Sequence, residues 1–188
     1  ISIWFILCLE VASIGVAIMV LGSLQVPGKD LSQLINNSFA DLIKNYTEDW
    51  VEVDIDNYLQ VIEWMKDNKD IDAAQLSNLT AVDMLDTFEI HVHLQSLDKQ
   101  KLYSIKVIID HDVPSIPSLS NLFMGANLQE REVYDLFGIT FTDHPDLRRI
   151  FLWDGFAGHP LRKDFLQMKN ANPGLPRFPF EEEGKQDR

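Results

Sequence analysis

One cysteine, Cys8, stands in 188 residues. A lone thiol closes no internal disulfide, and this chain by itself cannot build a cysteine-ligated zinc or iron–sulfur site. Any cluster-based redox chemistry nearby therefore falls to another subunit. Glycine-rich phosphate loops, HExxH spacings and the GxSxG elbow are also missing, which disfavours a self-contained nucleotide enzyme or hydrolase. Basic residues are scarce: 16 Lys and Arg against 29 Asp and Glu give a formal charge of −13. Polyanions, nucleic acid included, are poor partners for such a surface. Low-complexity runs and internal repeats are absent as well. With 46% apolar residues, 9 Gly and 8 Pro, the chain has the composition of one sizeable core rather than of a disordered polymer.

The charge is unevenly placed. Residues 143–188 hold 8 basic and 8 acidic side chains, so the whole excess of acid lies before them. The C-terminal part is thus organised by specific pairs rather than by bulk charge.

Residues 1–24, ISIWFILCLEVASIGVAIMVLGSL, are apolar except for Glu10. At a rise of about 1.5 Å per residue they would cross most of a hydrocarbon layer roughly 30 Å thick, and they read as a membrane helix. A buried soluble helix is the alternative; a signal peptide would carry a basic start, which this run does not. Glu10 is then a possible ionisable group within the membrane. In FILCLEVASIGVAIMV the run resembles the glutamate-bearing last transmembrane helix of the K subunit of respiratory complex I, and a fused segment would explain it equally.

Val26-Pro27-Gly28 marks the boundary. Beyond it, Asp30 is placed to cap a helix whose Leu31, Leu34, Ile35, Leu42 and Ile43 keep helical spacing. Val51, Val53 and Ile55 alternate with Glu52 and Asp54 as in a half-buried strand. Asp56 is placed to cap a second helix, with Tyr58, Val61, Ile62 and Met65 on one face. A short strand is expected within residues 79–85. Residues 88–95 alternate cleanly, Ile90, Val92 and Leu94 opposite Glu89, His91, His93 and Gln95. After a polar turn at 98–100, Tyr103, Ile105, Val107 and Ile109 supply the second arm of an antiparallel hairpin. The class is α+β, with helices packed on a mainly antiparallel or mixed sheet. The division expected is 1–26 apolar helix, 27–142 α+β domain, and 143–188 an irregular Arg- and Pro-rich extension.

His91 and His93 share a strand face, and Asp110-His111-Asp112 ends the next strand. A His and carboxylate metal site is conceivable there, but strict alternation favours a solvated polar sheet face. More informative is NLQEREVYDLFGITFTDHPDLRRIFLWDGFAGHPLRKDF, residues 127–165. Asn127 with Glu130 reads as a capping box, and Gly138 stands where a left-handed residue should end the helix. Carboxylates and guanidiniums at this density, interleaved with Tyr134, Phe137, Phe141, Phe151, Trp153, Phe156 and Phe165, can build a bidentate ion-pair lattice that fixes irregular backbone or meets another chain.

The string EREVYDLFGITF…HPDLRRI…GHPLRKDF resembles the signature of the 30-kDa or C subunit of complex I, the proton-pumping NADH:quinone oxidoreductase. LTAVDML, FEIHVHL and VPSIPSLSNLF extend the likeness to roughly residues 30–168. Where the family commonly has Gly and Pro, this chain has Asp143 and Leu166, and Leu128 stands where an aromatic is usual. The resemblance implies a structural subunit of the peripheral arm on the cytoplasmic side of the cell membrane, without catalytic residues or a cofactor of its own. NADH, FMN, iron–sulfur clusters and quinone would be handled by other subunits, with the D (quinone-site) subunit and iron–sulfur subunits as neighbours. It further implies that Glu130, Arg131, Glu132, Asp135, His144, Asp146, Arg148, Arg149, His159, Arg162, Lys163 and Asp164 carry motif identity and assembly. Two alternatives stay open: the same module in a hydrogenase-, ferredoxin- or F420-linked energy-converting complex, or a free-standing metal-dependent enzyme using the strand histidines. At the C-terminus, Pro173, Pro176 and Pro179 in NPGLPRFPF forbid helix and favour an extended arm anchored on a partner by Leu175, Phe178 and Phe180.

Overall fold

The computed structural model describes residues 23–39, 42–153 and 155–165. Glu10 with the rest of residues 1–22, and the proline-bearing arm from residue 166, lie outside them. Among the described residues no helix is long and apolar enough to cross a membrane.

In chain order the elements are β1 (Leu24–Gln25), α1 (Gly28–Ser38), β2 (Ile43–Tyr46), β3 (Val51–Val53), a 3-10 turn (Ile55–Asn57), α2 (Tyr58–Asp67), β4 (Gln75–Asp83), β5 (Thr87–Ser96), β6 (Lys101–Asp110), β7 (Ser115–Pro117), α3 (Ala126–Phe137) and β8 (Thr140–Thr142). The α+β class stands. The main sheet runs β2-β3-β6-β5-β4, with β1 also paired to β6, and β7 pairs β8 separately. Residues 84–86 and 97–100 are too few for a crossover, so β4, β5 and β6 form an antiparallel meander. Leu24 pairs Lys101 and Val51 pairs Ile105, both parallel. Since β5 occupies the other side of β6, β1 and β3 share one edge of it. The chain divides into two compact units, residues 1–79 with 91–107 and residues 80–90 with 108–188.

In the first unit the helical faces are those expected, but their ends are not. Leu31 and Ile35 of α1 are fully buried. The helix stops at Ser38, after Asn36-Asn37, because short polar side chains compete for their own backbone. Ile43 therefore opens β2 opposite Val53 instead of continuing the helix. The cap is Pro27 rather than Asp30, which sits in the first turn where its charge suits the helix dipole. Gly28 is required there: a Cβ would lie 2.3 Å from the Thr47 carbonyl oxygen. On α2, Tyr58, Val61, Ile62 and Met65 are all fully buried, each contributing about 1.5–3 kcal/mol. Asn57, not Asp56, precedes it. The end of the apolar N-terminal run also departs from helix, since Leu24–Gln25 is strand β1.

The polar face of β5 and β6 is not the solvated surface that alternation implied. His93 is half-buried and Gln95 fully so. Gln25 donates to the Ser104 hydroxyl at 2.9 Å, and Ser104 lies 2.8 Å from His93 Nδ1. Gln95 donates to Ser23 at 2.7 Å. Lys106, 6% exposed, lies 3.3 Å from Glu52 and 3.7 Å from the Trp50 ring centroid. Alternation reports polarity, not exposure, and here polar groups close on one another. Desolvation, then the neighbouring His91, pushes the His93 imidazole down to about 4.

This shift sets a pH dependence. An unfolded His takes its proton near pH 6.5, whereas folded His93 resists to about 4, so acid favours the unfolded chain. The stability is complete above about pH 6.5 and is lost as pH falls towards 4. A His93→Gln variant should lack that acid loss, about 2–3 kcal/mol, when denaturant midpoints of the two proteins are compared across this window.

In the second unit, β7 and β8 are parallel with Ile116 opposite Phe141, and α3 supplies the crossover between them. Ile116, Leu119, Ile139, Phe141 and Val133 form its core. As expected, Gly138 ends α3 in the left-handed region at φ +77°. The capping box does not form: Gly125 occupies the cap position, without a side-chain bond, and Glu130 is used elsewhere.

Candidate functional site

The family-like string folds as one arrangement around α3, and its charged groups mostly hold backbone. Asp135 is fully buried on the helix. Its Oδ2 accepts the N–H groups of Ile150, Phe151 and Leu152 at 3.0, 2.8 and 2.9 Å. Three successive amides converging on one oxygen make an anion cradle. Arg149 Nη1 lies 3.4 Å from the other oxygen, and its Nη2 donates to the Gly158 carbonyl at 3.3 Å. Burial raises this carboxyl's pKa, but the three amides and the Arg149 charge more than offset it and hold it below the usual carboxylate range.

One turn earlier, Arg131 extends over the same segment from the other side. Its Nε and Nη2 donate to the carbonyls of Arg148 and Arg149 at 3.0 and 3.2 Å. Segment 148–152 is thereby clamped at carbonyls by a cation and at amides by an anion, both from α3. Arg148 itself pairs Asp146 at 2.8 Å on the open surface, where the pair contributes roughly 0–1 kcal/mol. Glu132 is exposed.

Glu130 faces inward. It accepts the Ser118 hydroxyl and the Leu119 N–H, both at 2.6 Å, and burial pushes it up to about 7 despite those bonds. His144 approaches it at 3.8 Å while engaging the Asn127 carbonyl at 3.1 Å through Nε2. Asp146 N–H donates to His144 Nδ1 at 3.0 Å, so the ring proton sits on Nε2. His159 sits in contact with Gly138 and uses Nδ1 to donate to the Asp135 carbonyl at 2.9 Å.

The last group closes on the end of the meander. Arg162 Nη2 is 3.2 Å from both ring nitrogens of His111, which places it over the ring face, and His111 stacks on Phe88 with centroids 4.7 Å apart. Arg162 Nε reaches Asp164 at 3.4 Å, and the Lys163 N–H donates to buried Asp83 at 2.8 Å. Asp83, His111 and Asp164 each offer one candidate ligand atom, all within 4.8 Å of one another, but the Arg162 guanidinium already supplies positive charge there. Asp110 is used in a turn, accepting from Asp112 and Val113.

The structure gathers most of the charged residues singled out in the sequence around α3, but with other partners than expected. The bidentate Arg–carboxylate lattice is replaced by charge-to-backbone bonds, and among the described Arg–carboxylate pairs Asp135–Arg149 is the one whose carboxylate is fully buried. Ser118 and Asp83, which receive no special weight from charge patterning, turn out to anchor Glu130 and Lys163.

Residues 51–171 match the family described as respiratory-chain NADH dehydrogenase, 30 Kd subunit. The chain belongs to this family. The match spans the whole α3 arrangement. Among relatives, the NADH-ubiquinone oxidoreductase 30.4 kDa subunit of Neurospora crassa is 46% identical over 110 residues, 57% of this chain and 38% of the relative. The C subunit of the NADH-quinone oxidoreductase of Roseiflexus sp. is 42% identical over 109 residues, 56% of this chain and 63% of that one. The corresponding C subunit of Chelativorans sp. is 36% identical over 138 residues, 72% and 68% respectively. The chain thus spans 38% of the Neurospora relative and 63% of the Roseiflexus one. In structure, a trypsin-resistant fragment of Nqo5 aligns at a TM-score of 0.50 with 26% identity, covering 63% of this chain and 97% of the fragment. A chain of an archaeal membrane-bound sulfane sulfur reductase aligns at 0.62 with 21% identity, covering 86% and 96%, and shares the fold.

Proposed function

We propose that this 30-kDa family chain is a structural and assembly subunit in the peripheral arm of a proton-translocating NADH:quinone oxidoreductase at the cytoplasmic side of a cell membrane. NADH, FMN, iron–sulfur clusters and quinone are handled by other subunits, and this chain supplies neither a catalytic residue nor a cofactor. Its neighbours are the quinone-site D subunit and the iron–sulfur subunits. The observation that carries this reading is how the motif is used: Asp135, Arg131 and Arg149 are directed into the chain's own backbone. The clamped segment between them leaves Phe151, 63% exposed, and Ile150 at the surface beside exposed Arg148. Rigid aromatic and arginine side chains on a preordered segment are what a partner surface uses for anchoring. Family membership favours this reading over a free-standing metal-dependent enzyme.

A scaffold fails by quantity and a catalyst by rate per molecule. Phe151→Asp and Arg162→Ala are therefore expected to lower the yield of assembled complex severalfold, while assembled complexes keep near-normal NADH:quinone turnover. Full assembly combined with a large fall in turnover per complex would refute the assignment. Reduction by ferredoxin or F420 in place of NADH would retain the scaffold role and move it to a related energy-converting complex.

A further inference from the structure

Among the described residues, Glu130 is buried without a counter-cation. Neither its side chain nor that of His144 is exposed. His144, from the turn after β8, is the titratable group that faces it; its Nδ1 accepts the Asp146 N–H and its Nε2 engages the Asn127 carbonyl. Segment 118–120 brings only hydroxyls and amides to Glu130, Arg131 on the same helix is engaged with the Arg148 and Arg149 carbonyls, and Asp146 pairs Arg148 at the surface.

From the carboxyl outward runs a chain of oxygens. Glu130 Oε2 meets Ser118 Oγ at 2.6 Å, and Ser118 Oγ meets Ser120 Oγ at 2.7 Å. Ser120 is half-buried beside exposed Asn121. Its N–H donates to Ser118 Oγ at 3.0 Å and holds the middle link in place. This chain is satisfied in two states. With Glu130 ionised, Ser120 donates to Ser118 and Ser118 to Glu130. With Glu130 protonated, it donates to Ser118 and Ser118 to Ser120. Only O–H bonds reverse.

We propose that Glu130, Ser118 and Ser120 form a buried proton site, loaded from solvent at Ser120 and relayed to the carboxyl through two hydroxyls. As the Glu130 O–H bond forms, the Ser118 O–H bond breaks; Ser118 takes the Ser120 proton, and a solvent or buffer acid restores Ser120. The net change is one proton moved from that acid to the carboxylate. Burial that pushes this carboxyl up to about 7 places the exchange at neutral pH. The inference does not depend on the scaffold reading.

Infrared titration of the full chain tests it. A carboxylic C=O band is expected to titrate with a midpoint near 7 and to be missing from Glu130→Gln. Ser120→Ala keeps both direct partners of Glu130, so its midpoint should stay put while proton uptake after a pH jump slows about tenfold or more. A midpoint in the ordinary carboxylate range, a band that survives Glu130→Gln, or an unchanged uptake rate in Ser120→Ala would overturn the site. Should Glu130→Gln fail to fold, the Ser120→Ala rate still decides.

Discussion

Asp135→Ala should destabilise the chain by on the order of 3–5 kcal/mol, and Arg149→Ala by only about 1–2. The asymmetry follows from what each deletion strands. Without the carboxylate, three adjacent amides at Ile150, Phe151 and Leu152 lose their acceptor and half-buried Arg149 loses its counter-charge. Without the guanidinium, Asp135 keeps all three amides, and the vacated place is partly open to water. For a chain of this size the first change corresponds to a melting temperature lower by about 10 °C or more. Asp135→Asn preserves volume, so any loss it shows reports on charge rather than on a cavity. The pH signature is also fixed in sign. A carboxyl held below its usual range contributes stability above the unfolded carboxylate pKa, and loses it as pH falls through the folded value. The deficit of Asp135→Ala relative to wild type should therefore shrink in strong acid. A larger loss in Arg149→Ala than in Asp135→Ala would show that the ion pair, and not the amide cradle, holds segment 148–152.

Gly138→Ala is the second large effect. At φ +77° a side chain costs about 1–2 kcal/mol by itself, and the new Cβ would stand 2.6 Å from the His159 ring. That ring cannot retreat without releasing the Asp135 carbonyl, so the two terms compound to about 3 kcal/mol or more. Gly125→Ala is the matched control: φ is −66° and the Cβ would meet nothing within 4 Å. Thermal melts of the two variants should differ by most of that amount. Equal melts would mean that segment 155–165 can re-seat on α3 at little cost.

Local periodicity made much of this fold legible. The buried faces of α1 and α2 were set by Leu31 and Ile35, and by Tyr58, Val61, Ile62 and Met65. The meander was readable from alternation at 88–95 and 103–109. What escaped has physical reasons. Leu42 and Ile43 match helical spacing, and only the weak helix preference of Asn36-Asn37-Ser38 separates them from α1. Strands β7 and β8 have three residues each, too few for any period to register. At the site, Gly138 was legible because a left-handed cap needs that residue type. The partners of Asp135 and Glu130 were not, because a carboxylate's preference for acceptor roles does not say whether the donor is a guanidinium, a hydroxyl or a peptide group. His91 and His93 show the same limit, since period 2 separates faces without saying which face is covered.

The interleaving of the two units bears on how the protein is made. Gln25 binds Ser104 across 79 positions and Asp83 binds Lys163 across 80. Neither unit is a continuous stretch of chain. During synthesis, residues 23–79 wait for 91–107 before their sheet can close, and residues 80–90 wait for the α3 string that follows them. Early products therefore carry open strand edges and an unfilled apolar face, and although every segment of the first unit has emerged by residue 107, the second waits for the α3 string. Such high separation of contacts slows folding and lengthens exposure to aggregation. Truncation before about residue 165 should accordingly yield an insoluble chain, and in the cell this subunit would draw on chaperones until its last motif residues have emerged.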